Sequence, residues 1–564
     1  MKLTDYIVDE LKREGTDVIF GYTGGSIADF IDSVGKRSDV TFVQNYSEQG
    51  SAFSANAYAQ VTGKIGVAVS SSGPGAINLL NGIANAYFDS IPCLFITGNV
   101  HTLGRRPDDS IRQNAFQETD IVSMTEGITK ESIYLDDASR VVYELQRAIR
   151  LVREGRPGPV VIDIPYDVQR AEINIEELEQ YIMPDEDKPS VNTDLFYERL
   201  NASKRPLILI GGGCQSCKEE LAEFLGKKGI PVVASLRGLG LVTEKYDNYV
   251  GFIGSYGNYI ANAAIAACDL LLVLGSRLDE RQAGYIKKRF APKADIIQVD
   301  VDAFELGRKS DNYISYNCDV KEFLKVANLD TEEYGWQTWS NLLAVWKKRF
   351  NAEADNSLPN ALVKAISDIC CDRAVYTTDV GQNQMLCAQS LSIKDNIFLT
   401  SAGLGCMGYS LPAAVGAYYG CPDRDIIAFT GDGGLMMNLQ ELQTAKRDNI
   451  PLKLVVLNNS CLGMIRRLQD NMFEGRYYAS VEGYREPDIK AIAKAFEMDY
   501  YCINEKSDVT KVEDRIRDDS AVVIEVVLPL EMKVEPEPGK TIDAQESVIP
   551  DKLIGEFYEA VKLL

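Results

Sequence analysis

Histidine is the scarcest chemistry-bearing residue in this sequence of 564 residues, because His101 is the only one. A HExxH metal helix and a paired-histidine acid/base site each need more than one, so both are excluded. A Ser-His-Asp triad also finds no support. Proton transfer is therefore expected from carboxylates, lysines, tyrosines, water or a cofactor.

Long apolar runs and an excess of positive charge are lacking as well. No stretch reaches the roughly 18 uninterrupted apolar residues of a membrane span. The formal net charge of −23 disfavours binding to nucleic acid and to anionic lipid. The N-terminal segment MKLTDYIVDELKREG lacks the pattern of a signal peptide, and the 12 cysteines are scattered, which is typical of reduced thiols. We expect a cytoplasmic location and small-molecule partners, with no nucleic acid and no membrane.

Apolar runs that alternate with helical patterns divide the chain into three parts. The runs are VIFGY, TFVQN, IGVAVSS, CLFITG and VVIDIP, then RPLILIGGG, PVVASL, LLLVLGS and IIQVDVD, then AVYTTD, IIAFTGD, LKLVVLNN and AVVIEVVL. The acidic stretch INIEELEQYIMPDEDKPS reads as a linker. We predict an α/β protein with three doubly wound, mainly parallel sheets, in domains at residues 1–172, 190–335 and 355–564. Ligands are expected beyond the carboxyl ends of the strands.

The segment IIAFTGDGGLMMNLQELQTAKRDNIPLKLVVLNNSCLGM combines two apolar strands with an amphipathic helix between them. If the strands are parallel neighbours, Asp432 and Asn459, 27 positions apart, lie at one edge of the sheet. Their oxygens suit Mg²⁺ or Ca²⁺, of which Mg²⁺ commonly completes its shell with water and phosphate oxygens. The glycines followed by a helix N-terminus suit a diphosphate. The alternative is an ordinary Gly-rich turn with Asp432 as a helix N-cap.

A second candidate carboxylate is Glu48, in the segment FVQNYSEQGSAFSANAYAQVTG. It follows a strand directly and precedes a helix rich in small residues. A helix N-terminus stabilises an ionised carboxylate, so the position alone predicts an N-cap role. A role in proton transfer is the competing hypothesis.

The GDG segment followed by NN resembles the signature of thiamin-diphosphate-dependent enzymes, and SEQGSAFSANAYA resembles the segment that carries their proton-transfer glutamate. GYTGGSIADF, SSSGPGAINLLNGIANAYFDSIPCLFITGN, AFQETDIV, EGRPGPVVIDIPYDVQ and SAGLGCMGYSLPAAVGA extend the resemblance to the acetohydroxyacid (acetolactate) synthases over nearly the whole chain. This resemblance implies that Glu48 hydrogen-bonds the aminopyrimidine ring of thiamin diphosphate, and that Asp432, Asn459 and the backbone carbonyl of Cys461 hold Mg²⁺.

The same resemblance implies the residues that surround the reaction. Gly25, Phe116 and Gln117 are expected at the reaction centre. Contacts with thiamin diphosphate are expected from Val380, Gly381, Gln382, Gly405, Met407, Gly431, Gly433, Gly434 and Met464. The first domain is expected to bind the pyrimidine and the third the diphosphate, with each site shared between subunits of a homodimer or homotetramer.

The central part resembles the flavin-binding domain of the same family through GSRLDERQAG and VDVDAFELGRK. FAD is therefore expected here, with contacts from Arg156, Gly212, Gly213, Ser235, Leu236, Gly275, Arg277, Asp279 and Arg281. The alternative is a vestigial domain without a ligand, because a glycine triplet alone is weak evidence for nucleotide binding.

The sequence departs from the family at several positions, which leaves the second substrate open. Tyr166 replaces an active-site lysine and Leu468 replaces a tryptophan that favours 2-ketobutyrate. A long charged segment, HTLGRRPDDSIRQN, is either a solvated surface loop or a binding site for a larger acceptor such as a keto-sugar nucleotide. The expected reaction is decarboxylation of a 2-keto acid, such as pyruvate, followed by carboligation to a carbonyl acceptor. A 2-keto acid decarboxylase, another thiamin-dependent lyase and a silent nucleotide-binding protein are the alternatives.

Overall fold

The computed structural model describes residues 1–108, 110–183, 190–242, 244–286, 289–308, 313–332, 334–354, 358–535 and 551–564. Residues 184–189 of the expected linker and Asp109 of the charged segment lie outside them. Among the described residues there are three parallel sheets of six strands each, flanked by helices.

The first sheet has the strand order β2-β1-β3-β4-β6-β5. Its strands are β1 (Val18–Gly21), β2 (Thr41–Gln44), β3 (Gly66–Ser70), β4 (Cys93–Asn99), β5 (Glu131–Tyr134) and β6 (Val160–Pro165). Its helices are α1 (Leu3–Arg13), α2 (Ala28–Gly35), α3 (Glu48–Thr62), α4 (Pro74–Asn78), α5 (Leu80–Phe88), α6 (Ile121–Thr125), α7 (Val141–Leu151) and α8 (Tyr166–Gln169). The four inner strands are buried throughout, because helices cover both faces of a parallel sheet.

The second sheet has the order β12-β11-β10-β7-β8-β9. Its strands are β7 (Pro206–Ile210), β8 (Val232–Ala234), β9 (Tyr249–Phe252), β10 (Leu270–Leu274), β11 (Asp295–Asp300) and β12 (Tyr313–Asn317). The accompanying helices are α9 (Asp194–Ala202), α10 (Lys218–Lys228), α11 (Tyr259–Ala267), α12 (Glu280–Ala283), α13 (Val320–Ala327) and α14 (Gln337–Ala354). Because the chain reverses direction across β7, the topological switch point lies between β7 and β10.

The third sheet has the order β14-β13-β15-β16-β18-β17. Its strands are β13 (Val375–Thr378), β14 (Ile397–Thr400), β15 (Ile426–Gly431), β16 (Leu452–Asn458), β17 (Asp499–Ile503) and β18 (Val522–Val527). The remaining helices are α15 (Leu358–Ile369), α16 (Gln382–Ser390), α17 (Ser410–Gly420), α18 (Asp432–Leu435), α19 (Glu441–Arg447), α20 (Gly463–Met472), α21 (Ile489–Ala495), α22 (Glu513–Arg517) and α23 (Asp551–Lys562). The switch point here lies between β13 and β15.

Helices α3 and α17 join the first and third sheets. A Cβ atom at Gly416 would lie 2.0 Å from the backbone oxygen of Ser54, so only glycine permits this approach. The Ser54 hydroxyl donates to the Pro412 carbonyl at 2.8 Å across the same contact. Glu48, at the start of α3, is thereby fixed relative to the third sheet.

The fold class predicted from the sequence is confirmed, since all three sheets are parallel and doubly wound. The predicted domain boundaries stay predictions. Among the described residues, none of the helices has both the length and the apolar character that a membrane crossing needs.

Candidate active site

Asp432 and Asn459 lie at the carboxyl ends of neighbouring strands. β15 pairs in parallel with β16, with Gly431 opposite Leu457, so the residues that follow each strand emerge at one edge of the sheet. Both side chains line a cavity of about 680 Å³. The geometry that the 27-residue spacing required is therefore present in the structure.

The same cavity collects nearly every residue expected around thiamin diphosphate. It is lined by Val380, Gly381, Gln382, Met407, Gly431, Gly433, Gly434, Cys461 and Met464, in addition to Asp432 and Asn459. Gly405 does not line it, but a Cβ there would lie 3.4 Å from Val380 Cγ2. The cavity opens at the switch point between β13 and β15, where doubly wound sheets bind ligands.

The polar groups of this cavity are arranged around Asp432. Its Oδ2 accepts a hydrogen bond from the Tyr484 hydroxyl at 2.9 Å, and burial raises the pKa of its carboxyl to about 6. Asn459 Nδ2 donates to Gln382 Oε1 at 2.7 Å, so the amide oxygen of Asn459 is the atom that is available to a cation. Asn383 Oδ1 is buried without a hydrogen-bond partner in the same cavity.

The ordinary-turn interpretation of the GDGG segment is only partly right. Gly431 is the N-cap of α18, and no side chain caps that helix, so Asp432 is not an N-cap. Close packing requires glycine at position 434, because a Cβ there would lie 2.6 Å from Asp379 Oδ2. Burial raises the pKa of the Asp379 carboxyl to about 6, and the carboxyl accepts from Thr430 and from the Tyr409 backbone.

Glu48 begins α3 at the carboxyl edge of the first sheet, and Ser47 takes the N-cap position by accepting from Gly50 N. The N-cap hypothesis for Glu48 is therefore wrong. Glu48 Oε2 accepts from Asn78 Nδ2 at 3.0 Å. Gly75 leaves room for the carboxylate, since a Cβ there would lie 3.1 Å from Oε1.

The other residues expected at the reaction centre lie at this edge too. Gly25 begins a short 3₁₀ turn after β1, with open space where a Cβ would be. Gln117 has a φ of 64°. It packs closely against Gly73, since a Cβ added to that glycine would lie 3.0 Å from the Gln117 Cβ. Phe116 is 85% exposed. A left-handed conformation at a residue other than glycine is strained, and such strain clusters at functional sites.

The two halves of the predicted site do not share a cavity within one chain. The residues that line the cavity around Asp432 all lie between Ser255 and Met532, so neither Glu48 nor Gln117 is among them. Large apolar side chains are exposed around both halves, including Tyr22, Tyr46, Ile77, Met436 and Met437.

A buried carboxylate that sequence reasoning missed, Glu441, supports the start of α3. Its Oε1 accepts from the backbone N–H groups of Tyr46 and Ser47 at 3.0 and 3.1 Å, and its Oε2 accepts from Asn45 Nδ2 at 2.9 Å. Burial raises the pKa of Glu441 despite these hydrogen bonds. No sequence motif predicts the contact, because it joins residues almost 400 positions apart.

Glu441→Ala is expected to lower the free energy of unfolding by about 3 kcal/mol, because at least four donors, including the Thr444 hydroxyl, would lose their acceptor in a buried place. Urea unfolding measures the change. Glu497→Ala, which removes an exposed carboxylate of the same domain, serves as the control and is expected to have little effect. Equal stabilities of the two variants would contradict the supporting role of Glu441.

A second buried carboxyl, Asp163, lies beneath the loop that carries Gln117. It accepts from Thr97 Oγ1 at 2.6 Å and from Asn99 Nδ2 at 2.5 Å, and the same Asn99 amide donates to the Thr119 carbonyl at 3.1 Å. Burial raises the pKa of Asp163 to about 7.

Asp163→Asn is expected to flatten the dependence of stability on pH. The ordinary pKa is 3.8, and the folded protein raises it to about 7, so the folded state keeps a proton that the unfolded chain releases. The contribution of protonated Asp163 is complete below about pH 4 and is lost as the pH rises to about 7. Urea unfolding of both proteins across this window measures the difference. Parallel curves would contradict a neutral buried carboxyl.

A larger cavity, of about 760 Å³, lies beside the second sheet. It is lined by all nine residues expected to contact FAD, namely Arg156, Gly212, Gly213, Ser235, Leu236, Gly275, Arg277, Asp279 and Arg281. The turns after β7 and β10 touch, because a Cβ at Gly213 would lie 2.7 Å from the Cα atom of Gly275. The contact between the two turns therefore explains the presence of glycine at these positions without any ligand.

The positions that depart from the family occupy the edges of both halves. Tyr166 begins α8 and packs edge-on against His101, with ring centroids 5.4 Å apart. Leu468, on α20, is 43% exposed. The described part of the charged segment is folded back by Glu118, whose carboxylate accepts from the backbone N–H groups of Arg106 and Asn114.

Three family models match the chain in the order of its sheets. They describe thiamine pyrophosphate enzymes: the N-terminal TPP binding domain matches residues 1–124, the central domain 194–326 and the C-terminal TPP binding domain 379–526. The fold and these matches define a thiamin-diphosphate-dependent enzyme.

Similar curated proteins narrow the class. Chloroplastic acetolactate synthase 2 of Nicotiana tabacum is 36% identical over 499 residues, which cover 84% of this chain and 73% of that protein. The large subunit of acetolactate synthase isozyme 2 of Escherichia coli is 35% identical over 500 residues, which cover 88% and 90%. The acetolactate synthase large subunit of Parasynechococcus marenigrum is 35% identical, with 87% and 82% covered. The chain belongs to the acetolactate synthase family.

Proposed function

We propose that this enzyme decarboxylates a 2-keto acid, with pyruvate as the first candidate, and joins the two-carbon unit to a carbonyl acceptor. The observation that carries the proposal is the meeting of Asp432, Asn459 and the glycine turn in one cavity of a chain of this family. When bound there, thiamin diphosphate supplies the carbon nucleophile and the electron sink that decarboxylation requires.

Magnesium is the metal that the residues at this edge fit. A carboxylate, an amide oxygen and a backbone carbonyl are hard oxygen ligands, and Mg²⁺ completes its coordination with water and phosphate oxygens. Asp432, Asn459 and the carbonyl of Cys461 are the proposed ligands. Within the described ranges, no group of three or more histidine, cysteine, aspartate or glutamate side chains could hold a metal ion. This agrees with a metal site in which the diphosphate supplies some of the ligands.

Glu48 is the proposed proton-transfer residue, acting on the aminopyrimidine ring. Its carboxylate accepts a hydrogen bond from the Asn78 amide and forms no ion pair among the described residues. Because the cavity around Asp432 lacks residues of the first sheet, we place Glu48 in the site of a second copy. A homodimer, alone or paired into a tetramer, is the proposed assembly.

The substrate wall is proposed to consist of Gly25, Phe116 and Gln117. The open space at Gly25 and the exposure of Phe116 leave room for a small acid beside Glu48. Tyr166 and Leu468, which replace larger or charged family residues, are proposed to alter the choice of acceptor. Pyruvate, a second 2-keto acid and a keto-sugar nucleotide are the acceptors to be compared.

FAD is the proposed ligand of the larger cavity. Its volume suits a ligand of that size, and the close contact of the two glycine turns brings backbone N–H groups to the switch point of the second sheet. All twelve cysteines are free, which suits a reducing compartment and supports the proposed cytoplasmic location.

Incubation with carbon-13 pyruvate tests the proposed reaction. An acetolactate-type product with a new carbon–carbon bond is expected by NMR, and its yield is expected to require thiamin diphosphate and Mg²⁺. Acetaldehyde as the sole product would reject carboligation in favour of a decarboxylase. Repeating the incubation with each candidate acceptor, at a fixed pyruvate concentration, identifies the preferred one by the product formed.

A further inference from the structure

The larger cavity contains an arginine that no family motif indicated, Arg237. It follows β8, at the end of the short segment Ser235–Leu236, and lines the cavity. Its Nη1 donates to Gln60 Oε1 and its Nη2 donates to the Asp89 carbonyl at 3.4 Å. Its Nε is buried and has no hydrogen-bond partner. Both acceptors are neutral, so these hydrogen bonds hold the guanidinium in place but do not balance its positive charge.

Among the other arginines that line this cavity, Arg153, Arg156 and Arg277 pair with carboxylates, whereas the Arg281 guanidinium donates to Met385 Sδ at 3.5 Å, away from the glycine turn after β7. Arg156 Nη1 lies 3.0 Å from both Asp302 Oδ2 and Glu305 Oε1, so two carboxylates already neutralise it. Arg277 pairs with Asp279 at 3.1 Å. Within the described ranges, Arg237 forms no ion pair with a carboxylate at a distance of 4.0 Å or less. A partly buried cation without a counter-ion is costly, and an anionic ligand would remove that cost.

The position of Arg237 coincides with the place where doubly wound sheets bind diphosphates. A Cβ at Gly212, in the turn after β7, would lie 3.6 Å from Arg237 Nε. The turn after β10 meets the same glycines, so the guanidinium lies beside the switch point between β7 and β10. A planar guanidinium offers paired N–H donors that match phosphate oxygens.

We propose that Arg237, and not Arg156, is the cation that binds the diphosphate of a nucleotide in the larger cavity. The inference rests on the proposed function only in the nature of the nucleotide, FAD. The assignment of Arg237 applies to any nucleotide with a diphosphate, because a guanidinium recognises the phosphate oxygens and not the base. Arg156 then serves to join the first domain to the loop that carries Asp302 and Glu305.

The test compares binding to the full-length protein after removal of any bound flavin. The probes are FAD and ADP, which carry a diphosphate, and riboflavin and adenosine, which carry none. Arg237→Met is expected to raise the dissociation constants of FAD and ADP by about tenfold or more, and to leave those of riboflavin and adenosine unchanged. Arg237→Lys keeps the charge and is expected to retain part of the affinity. Arg156→Met is the matched control, with a smaller effect on both diphosphates.

Three results would overturn the proposal. The first is an Arg237→Met variant that binds FAD and ADP as tightly as the wild type does. The others are an equal loss of affinity in that variant for riboflavin and adenosine, or a larger loss of affinity for FAD and ADP in Arg156→Met. Circular dichroism and thiamin diphosphate binding check that the variants fold. Wild-type protein that binds ADP but not FAD would reject the flavin of the proposed function, and a loss of ADP affinity in Arg237→Met would still support the assignment of Arg237. Wild-type protein that binds neither would reject both.

Discussion

Glu48→Gln is expected to lower the rate of product formation by about 10²- to 10⁴-fold, the usual contribution of a positioned acid or base. Glutamine keeps the size of the side chain and its hydrogen bond with Asn78, but it cannot exchange a proton with the aminopyrimidine ring. Exchange of the cofactor's C2 proton for deuterium, followed by NMR after acid quench, measures the affected step directly. The exchange rate is expected to fall with the turnover rate.

The binding of cofactor and metal is expected to survive this substitution, because the cavity around Asp432 does not include Glu48. Glu176→Gln is the matched control, since it neutralises an exposed carboxylate of the same part of the chain. If Glu48→Gln exchanged the C2 proton and turned over at the rate of the control, the assigned proton transfer would be wrong.

Asp432→Ala is expected to reduce thiamin diphosphate affinity in the presence of Mg²⁺ by about 10²-fold or more, because removal of one partner of a buried charge interaction costs roughly 3–5 kcal/mol. Titration of cofactor at fixed Mg²⁺, and of Mg²⁺ at fixed cofactor, measures both dependences. Asp432→Asn keeps the shape and is expected to fall between the wild type and the alanine variant.

Asp423→Asn provides the comparison for Asp432, since it lies in the exposed turn before β15 and outside the cavity. It is expected to match the wild type in both titrations. A cofactor affinity in Asp432→Ala that kept its full dependence on Mg²⁺ would show that the metal is held elsewhere.

The sequence predicted the interior of each sheet better than its edges. Every strand missed by the apolar runs is an edge strand: β5, β9, β12, β14 and β17. The residues of β12 alternate between exposed and half-buried, and only one residue of β17 is buried. An inner strand is covered on both faces and reads as a continuous apolar run. The edge strands β12 and β17 keep contact with water and lose that signal, whereas β9 and β14 are largely buried and are only four residues long.

A similar division applies to the candidate site. Asp432 and Asn459 were predictable because they follow apolar strands at a spacing that a parallel crossover explains. Glu441 and Arg237 were not, because their partners, Ser47 and Gln60, lie in other parts of the chain. Burial next to a distant segment leaves no local pattern, so only the folded structure reveals such contacts.

The proposed active site is built from the first sheet of one copy and the third sheet of another. Mixing the inactive variants Glu48→Gln and Asp432→Ala, with exchange of subunits, tests it most directly. In mixed dimers one site carries both substitutions and the other carries none, so random exchange is expected to restore about a quarter of wild-type activity. Mixtures that exchange subunits, as native mass spectrometry would show, and yet stay as inactive as the separate variants would contradict it.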